Sequence, residues 1–286
     1  MTPDLLRLCE SILEVNIISF TPLRGGDISD AYQVATIEGP FFLKVLSGPA
    51  AAEMLQQEEI GLREIAKTGT VKTPLIRSSG SRESTALLLL EFIESGNTSP
   101  DFWKSFGQQL ARLHQTNAPS FGFRENNFIG SLTQRNRRWD CWPDFYQEER
   151  LAPQVKLAYD QGLLDTGDLA LFDHIYTCVA ENCPEEVPSL IHGDLWSGNF
   201  LCSTSGEAVL IDPAVAFSHR EMDLAMCRLF NGFDRKFYRA YEEAYPIERG
   251  FESRLPLYQL YYLLVHLNIF GRGYYSSVRQ ILTAFA

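Results

Sequence analysis

Two short apolar runs that each end in an aspartate constrain this chain more than any other feature. Leu190-Ile191 runs into His192-Gly193-Asp194-Leu195-Trp196-Ser197-Gly198-Asn199, and Val209-Leu210-Ile211 runs into Asp212-Pro213-Ala214. Apolar runs this short, bounded by turn residues, read as buried strands, and a carboxylate at a strand end sits on a rigid mount. Asn199 follows Asp194 within the same loop, so two acids and an amide are delivered from neighbouring strand ends. Such a set suits one proton acceptor and two oxygen ligands for a hard divalent cation.

The spacing from Asp194 to Asn199 is that of the kinase catalytic loop H-R-D-x-x-x-x-N, in which the Asp accepts the hydroxyl proton and the Asn holds magnesium. Asp212 stands where the Asp of D-F-G stands and is expected to hold the metal that bridges the phosphates. His192 is read as a structural residue whose ring holds the loop backbone. Asp223, opening a helix, is read as an anchor for the same loop through that helix N-terminus.

Upstream, the pattern supplies the rest of a nucleotide site. Residues 3–15 have helical spacing of Leu5, Leu8, Ile12 and Val15. A hairpin follows, its two strands joined through Arg24-Gly25-Gly26-Asp27-Ile28-Ser29, and then the strand Phe41–Leu46. Alternation puts Lys44 on the face of Phe42 and Leu46. The next helix, about 51–66, carries the stripe Leu55, Glu58, Leu62, Ile65, so Glu58 lies within its buried face, where an unpaired carboxylate is costly. Lys44 is its natural partner, and Glu59 is the weaker candidate. Ala86–Ile93 is an apolar strand running into the polar Glu94-Ser95-Gly96-Asn97. This marks a hinge, with backbone groups of Glu91 and Ile93 placed to read an adenine edge, and the boundary between lobes 1–93 and 94–286. Ser99-Pro100 then starts a helix carrying Trp103, Phe106, Leu110 and Leu113 on one face.

Composition narrows the partners. The net charge of −11 and the pI near 5.0 argue against nucleic acid and anionic membrane. Leu257–Phe270, the most apolar stretch, is interrupted by Gln259, His266 and Asn268 and is too short to span a bilayer. The six cysteines form no C-x-x-C pair and read as reduced, mostly buried thiols. With no leader pattern at the first residues, a cytoplasmic location is expected.

The run Ile191–Asn199 resembles the fructosamine kinase (ketosamine-3-kinase) family, whose relatives of the same protein-kinase-like fold include aminoglycoside phosphotransferases and choline kinases. The similarity extends to Gly25–Ser29, to Asn127-Phe128-Ile129-Gly130 with Gln134 and Asn136, and to Trp142–Gln154. It continues in His219–Ala225 and in Leu264–Asn268. The resemblance implies an α+β, two-lobed protein-kinase-like fold, with a small antiparallel β lobe holding one key helix and a larger helical lobe. It implies ATP and Mg2+ as cofactors, and phosphorylation of the 3-hydroxyl of a ketosamine, free or on a glycated protein lysine, which leads to deglycation. Asp194 is then the base, Asn199 and Asp212 the metal ligands, and Lys44 with Glu58 the phosphate-positioning pair. Gly25, Gly26, Ile28 and Ser29 form the nucleotide loop. Trp196 borders the sugar, and His266 either faces the sugar site or is a core histidine. Oligomeric state is left open.

Three departures from protein kinases matter. The loop has two adjacent glycines in place of G-x-G-x-x-G, Asp212-Pro213-Ala214 replaces D-F-G, and only a few residues separate Asp212 from Asp223. The last leaves no room for a long activation segment, as expected of a constitutive enzyme. Two rivals remain: another small-molecule phosphotransferase of aminoglycoside, choline or homoserine type, and a pseudokinase scaffold.

Overall fold

A computed structural model describes residues 3–23 and 29–286 of the chain. Two compact units emerge: one takes the residues up to Phe102 together with Phe200–Asp212, the other Trp103–Asn199 and Pro213–Ala286.

The first unit is an antiparallel sheet between two helices. Helix α1 (Pro3–Leu13) is followed by strands β1 (Ser19–Leu23), β2 (Asp30–Thr36) and β3 (Gly39–Ser47). Helix α2 (Ala51–Lys67) and strands β4 (Ile76–Arg82) and β5 (Thr85–Glu91) complete the sheet, in the order β1-β2-β3-β5-β4. Period-two alternation divides its side chains between two cores. Leu43, Val45, Leu87 and Leu89 pack with Cys9 and Leu13 of α1. Leu46, Leu88 and Leu90 pack with Leu55 and Leu62 of α2. Lys44 shares the second face, which directs it toward α2.

The second unit is mostly helical. Helix α3 (Pro100–His114) leads through the short strands β6 (Asn127–Ile129) and β7 (Leu132–Gln134) to α4 (Trp142–Phe145). A π-helical turn, Tyr146–Leu151, joins α4 to α5 (Ala152–Asp160). Pro153 has no N–H to give the Glu149 carbonyl, which instead accepts from the Arg150 guanidinium at 3.1 Å. Helix α6 (Thr166–Asn182) and strand β8 (Ser189–Ile191) follow. The chain then re-enters the first unit as the hairpin of β9 (Phe200–Cys202) and β10 (Ala208–Leu210). It returns as β11 (Ala216–Ser218), paired antiparallel with β8, and ends in α7 (Glu221–Leu229), α8 (Arg235–Ala244), α9 (Phe251–Phe270) and α10 (Tyr275–Ala284). Helix α9 carries eleven buried residues and is the axis of the larger core.

Of the cysteines, Cys9, Cys202 and Cys227 are buried, Cys178 and Cys183 are half-buried and Cys141 is exposed; all six are free thiols. Burial is thus less general than the composition suggested. No described helix is long and apolar enough to cross a membrane.

Candidate active site

In the first unit the Lys44 ammonium donates to Glu58 Oε2 and to Asp212 Oδ1, each at 2.7 Å. The lysine and Glu58 side chains are about one-tenth exposed, while that of Asp212 is 42% exposed. Lys44 faces Ala31 on β2 and Leu88 on β5, so nothing polar on the neighbouring strands competes for it. Burial disfavours its charge, yet Asp212 and Glu58 outweigh burial and raise its pKa. Glu58 moves upward to about 7, first through burial and then through the Asp212 charge, against the pull of Lys44. Two carboxylates therefore share one cation. Glu59 is spent elsewhere, on Arg63 and the Ser79 hydroxyl.

Asp212 itself has φ +54°, a left-handed conformation uncommon in a residue with a side chain. The bond from Lys44 holds its carboxylate there. Of the other residues expected at the nucleotide, Gly25, Gly26 and Ile28 lie outside the described residues. Ser29 is half-buried in a bend just before β2. The Glu91 N–H donates to the Leu75 carbonyl at 2.7 Å, so that amide is not the donor an adenine edge would need. Ile93, just past β5, is half-buried.

In the second unit the loop after β8 is built around one buried carboxylate. Asp223 accepts the His192 N–H at 2.7 Å and the Gly193 N–H at 2.8 Å. Its third partner is His114 Nε2 at 3.1 Å. Because a carboxylate only accepts, Nε2 carries the proton, and Nδ1 is left to accept the Tyr241 hydroxyl at 2.8 Å. Arg220 in turn donates to the Tyr241 oxygen at 3.3 Å. Burial alone would raise Asp223, but the hydrogen bond from His114 and the Gly193 amide help to hold it below its ordinary 3.8. Gly193 has φ +85°, and a Cβ there would lie 2.1 Å from the Ala214 carbonyl oxygen. Only glycine allows that approach.

Immediately after Gly193, the half-buried Asp194 accepts Asn199 Nδ2 on Oδ2 at 3.1 Å, and the same amide nitrogen donates to the Asp194 carbonyl at 2.8 Å. The Asp194 N–H faces His192 Nδ1 at 3.3 Å. With its nitrogen engaged, Asn199 offers Oδ1 as a neutral oxygen ligand. Trp196 is 39% exposed and meets Phe230 edge-on at 6.5 Å. Phe230 meets the His266 ring at 4.7 Å, the two planes tilted by 45°. His266 Nδ1 donates to the Tyr262 carbonyl at 2.7 Å, and burial lowers its pKa, so the neutral ring belongs to the same aromatic cluster as Trp196.

Sequence reasoning passed over His114, although it extends the apolar face of α3 four residues beyond Leu110. A polar side chain on such a face needs a buried partner, and that was the available signal. It also assigned no role to the amides of Asn127 and Gln134, which donate to the Val215 and Ala214 carbonyls at 2.8 and 3.1 Å. Glu186, His219 and Glu221 come together within 4.8 Å, but Arg220 and Arg254 already neutralise the two carboxylates.

Comparison with known proteins identifies the family and the fold. The fructosamine kinase family model matches residues 7–285. A protein of Enterococcus faecium assigned as a ketoamine kinase is 38% identical, over 92% of this chain and 94% of its own. The chloroplastic protein-ribulosamine 3-kinase of Arabidopsis thaliana is 37% identical, over 90% of this chain and 79% of its own. A solved structure from Thermobifida fusca YX-ER1, assigned as a fructosamine-3-kinase, superposes with TM-score 0.89 at 31% identity, covering 100% of this chain and 99% of that one. The fold expected from the sequence, a small antiparallel lobe with one key helix and a larger helical lobe, is the fold found, with α1 covering the other face of the sheet.

Proposed function

This chain belongs to the fructosamine kinase family, and we propose that it transfers the γ-phosphoryl group of ATP to the 3-hydroxyl of a ketosamine. The observation that carries the reading is the Asp194 carboxylate, half-exposed and oriented by Asn199 on a loop whose backbone Asp223 pins. Asp194 accepts the hydroxyl proton as the hydroxyl oxygen bonds to phosphorus, and ADP leaves. Lys44, held by Glu58, positions the phosphates, and Trp196 lies along the sugar ring, a broad apolar contact with little rotamer loss. The 3-phosphate so formed is unstable and decomposes with release of the amine, which makes the activity a deglycation. Glycated protein lysines are candidate substrates beside free ketosamines.

The donor set fits Mg2+. Asp212 supplies a solvent-accessible carboxylate and Asn199 a neutral oxygen, the one or two protein ligands this ion ordinarily takes. When bound, the ion would offset charge developing on the transferred group. Lys44 would then exchange its bond to Asp212 for the phosphates while keeping Glu58.

An ADP-coupled assay with fructosyl- and ribulosyl-amines, choline and an aminoglycoside tests the reading. Turnover confined to the ketosamines is expected. Turnover with choline or the aminoglycoside alone would overturn it, and no ATP turnover with any of them would favour a scaffold.

A further inference from the structure

In the second unit the loop between α7 and α8 lies against the exposed half of the catalytic loop. Asn231 and Gly232 have φ of +60° and +100°, and a Cβ on Gly232 would come within 2.5 Å of Ser197 Cβ. Next to Ser197 is Trp196, in edge contact with Phe230. Beside these contacts opens a cleft of about 370 Å³ lined by Arg228, Asn231, Gly232, Phe233, Arg235 and Tyr238.

The lining is two guanidinium groups, one amide and two aromatic rings, with no carboxylate among them. In a chain of net charge −11 such a lining is out of keeping with the rest of the surface. The Arg228 guanidinium is fixed 4.2 Å over the Tyr238 ring. One of its terminal nitrogens reaches Glu252 at 3.1 Å, a carboxylate 69% exposed and so weakly held. Its Nε is buried and has no hydrogen-bond partner among the described residues. The Arg228 side chain is 36% exposed, so its terminal nitrogens, held among the described residues only by that exposed glutamate, are open to an acceptor from outside the chain. Arg235, at the first position of α8, is exposed and has no ion-pair partner among the described residues.

We infer that this cleft is a carboxylate subsite for the amine-derived half of the acceptor. The inference rests on the ketosamine reading above. A ketosamine that offers its 3-hydroxyl to Asp194 carries the amine substituent two carbons away, on C1. Where that amine came from an amino acid, the substituent is a short carbon stem ending in a carboxylate. Phe233 and Tyr238 match the stem, and the planar forks of Arg228 and Arg235 match the carboxylate. A phosphate on the far end of the sugar has the charge without the stem and would leave both rings unused. The enzyme therefore favours ketosamines of acidic amines over those of neutral ones.

The test is kcat/KM for the fructosyl adducts of β-alanine and β-alaninamide, near-isosteric substrates that differ by one charge. The wild type prefers the carboxylate about tenfold, in KM more than in kcat, as a charge-assisted contact in an open cleft would give. Arg235→Gln reduces that ratio, Arg228→Gln brings it toward one, and Arg235→Glu inverts it. Arg239→Gln, on the exposed side of the same helix and paired with Glu243, keeps the wild-type ratio. Arg235 is exposed at a helix start, so its variants fold even if Arg228→Gln does not. A wild-type ratio near one, or a ratio indifferent to both Arg235 variants, overturns the subsite while leaving the ketosamine reading intact. So does an Arg235 dependence found only with a sugar-phosphate adduct. Failure of both adducts, with another alcohol turned over, overturns the ketosamine reading itself.

Discussion

Replacing Asp223 by Asn tests the architecture of the catalytic loop without touching a reacting group. The carboxylate is fully buried and accepts three donors, the His192 and Gly193 amides and His114 Nε2. An asparagine side chain has one oxygen in that place, and its NH2 turns two hydrogens toward groups that are themselves donors. At least one buried amide is stranded at about 1–3 kcal/mol, and each surviving bond falls from the roughly 1.5–3 kcal/mol of a charged pair to the roughly 0.5–1.5 kcal/mol of a neutral one. We therefore expect a loss of about 3 kcal/mol or more, a large share of the roughly 5–15 kcal/mol that holds a domain together. Gly193 immediately precedes Asp194, so a shift of about 1 Å in its peptide carries the base with it, and kcat should fall about a hundredfold.

Urea unfolding and steady-state kinetics read both effects. KM for ATP should move little, because Lys44, Glu58 and Asp212 form a separate ion-pair set. The pH dependence provides an independent check. Asp223 titrates below its ordinary 3.8 when folded, so its contribution is complete above that value and is lost as pH falls through the folded value. The stability gap between wild type and Asp223→Asn should therefore close in acid and hold steady toward neutrality. A variant within about 1 kcal/mol of wild type at pH 7, with kcat within a few-fold, would refute the argument that this carboxylate builds the loop.

Asp194→Asn should leave ATP binding, followed by calorimetry, near wild type while kcat falls by about 10²–10⁴; wild-type turnover would remove Asp194 from the mechanism. Lys44→Met leaves two buried or half-buried carboxylates without their cation, and Glu58→Gln removes one of them. A double-mutant cycle on stability and on KM for ATP should show coupling above about 0.5 kcal/mol, and strict additivity would sink the pairing. Asn199→Ala should raise the Mg2+ concentration for half-maximal activity, and Asp212→Asn should abolish metal-dependent turnover. A Mg2+ titration in which Asp212→Asn matches wild type would dispose of the proposed metal ligands.

What the sequence disclosed, it disclosed through periodicity. Lys44 on β3 and Glu58 on α2 could be paired in advance because a period of two and a stripe spaced 3, 4, 3 each fixed a facing direction, and the 2.7 Å bond follows. Strand β4 had no such signal. Ile76–Arg82 is the edge of its sheet, mixed half-buried and exposed, so its polar residues need not alternate with apolar ones. The re-entry of Phe200–Asp212 into the first unit was equally invisible. It depends on backbone bonds far apart in the chain, Gly96 N–H to the Cys202 carbonyl at 2.7 Å and Leu210 N–H to the Lys72 carbonyl at 2.9 Å, which any side chains could make. His114 and the cleft between α7 and α8 depended on tertiary neighbours: a histidine reads as polar until Asp223 arrives beside it, and Arg228 and Arg235 meet only across a loop with two left-handed residues.

The shortness of the segment after Asp212 has a structural consequence that the motif alone does not convey. A kinase switched by its activation segment needs backbone that can order and disorder. Here the backbone of Ala214 and Val215 is tied down inside the second unit. The Ala214 N–H donates to the His192 carbonyl at 2.9 Å, while the Ala214 and Val215 carbonyls accept from Gln134 and Asn127. Gln134 is itself fixed by the Tyr261 hydroxyl at 2.8 Å and by Asn127 at 2.9 Å. Ala216–Ser218 then pairs with β8, and α7 begins at Glu221. Ser218 is the sole hydroxyl residue between Pro213 and Arg220, and it is completely buried. A phosphoryl group could reach it only after β11 had left the sheet, at the cost of the buried amide contacts just named. The loop bearing Asp194 is thus held in one arrangement by the core of the second unit itself.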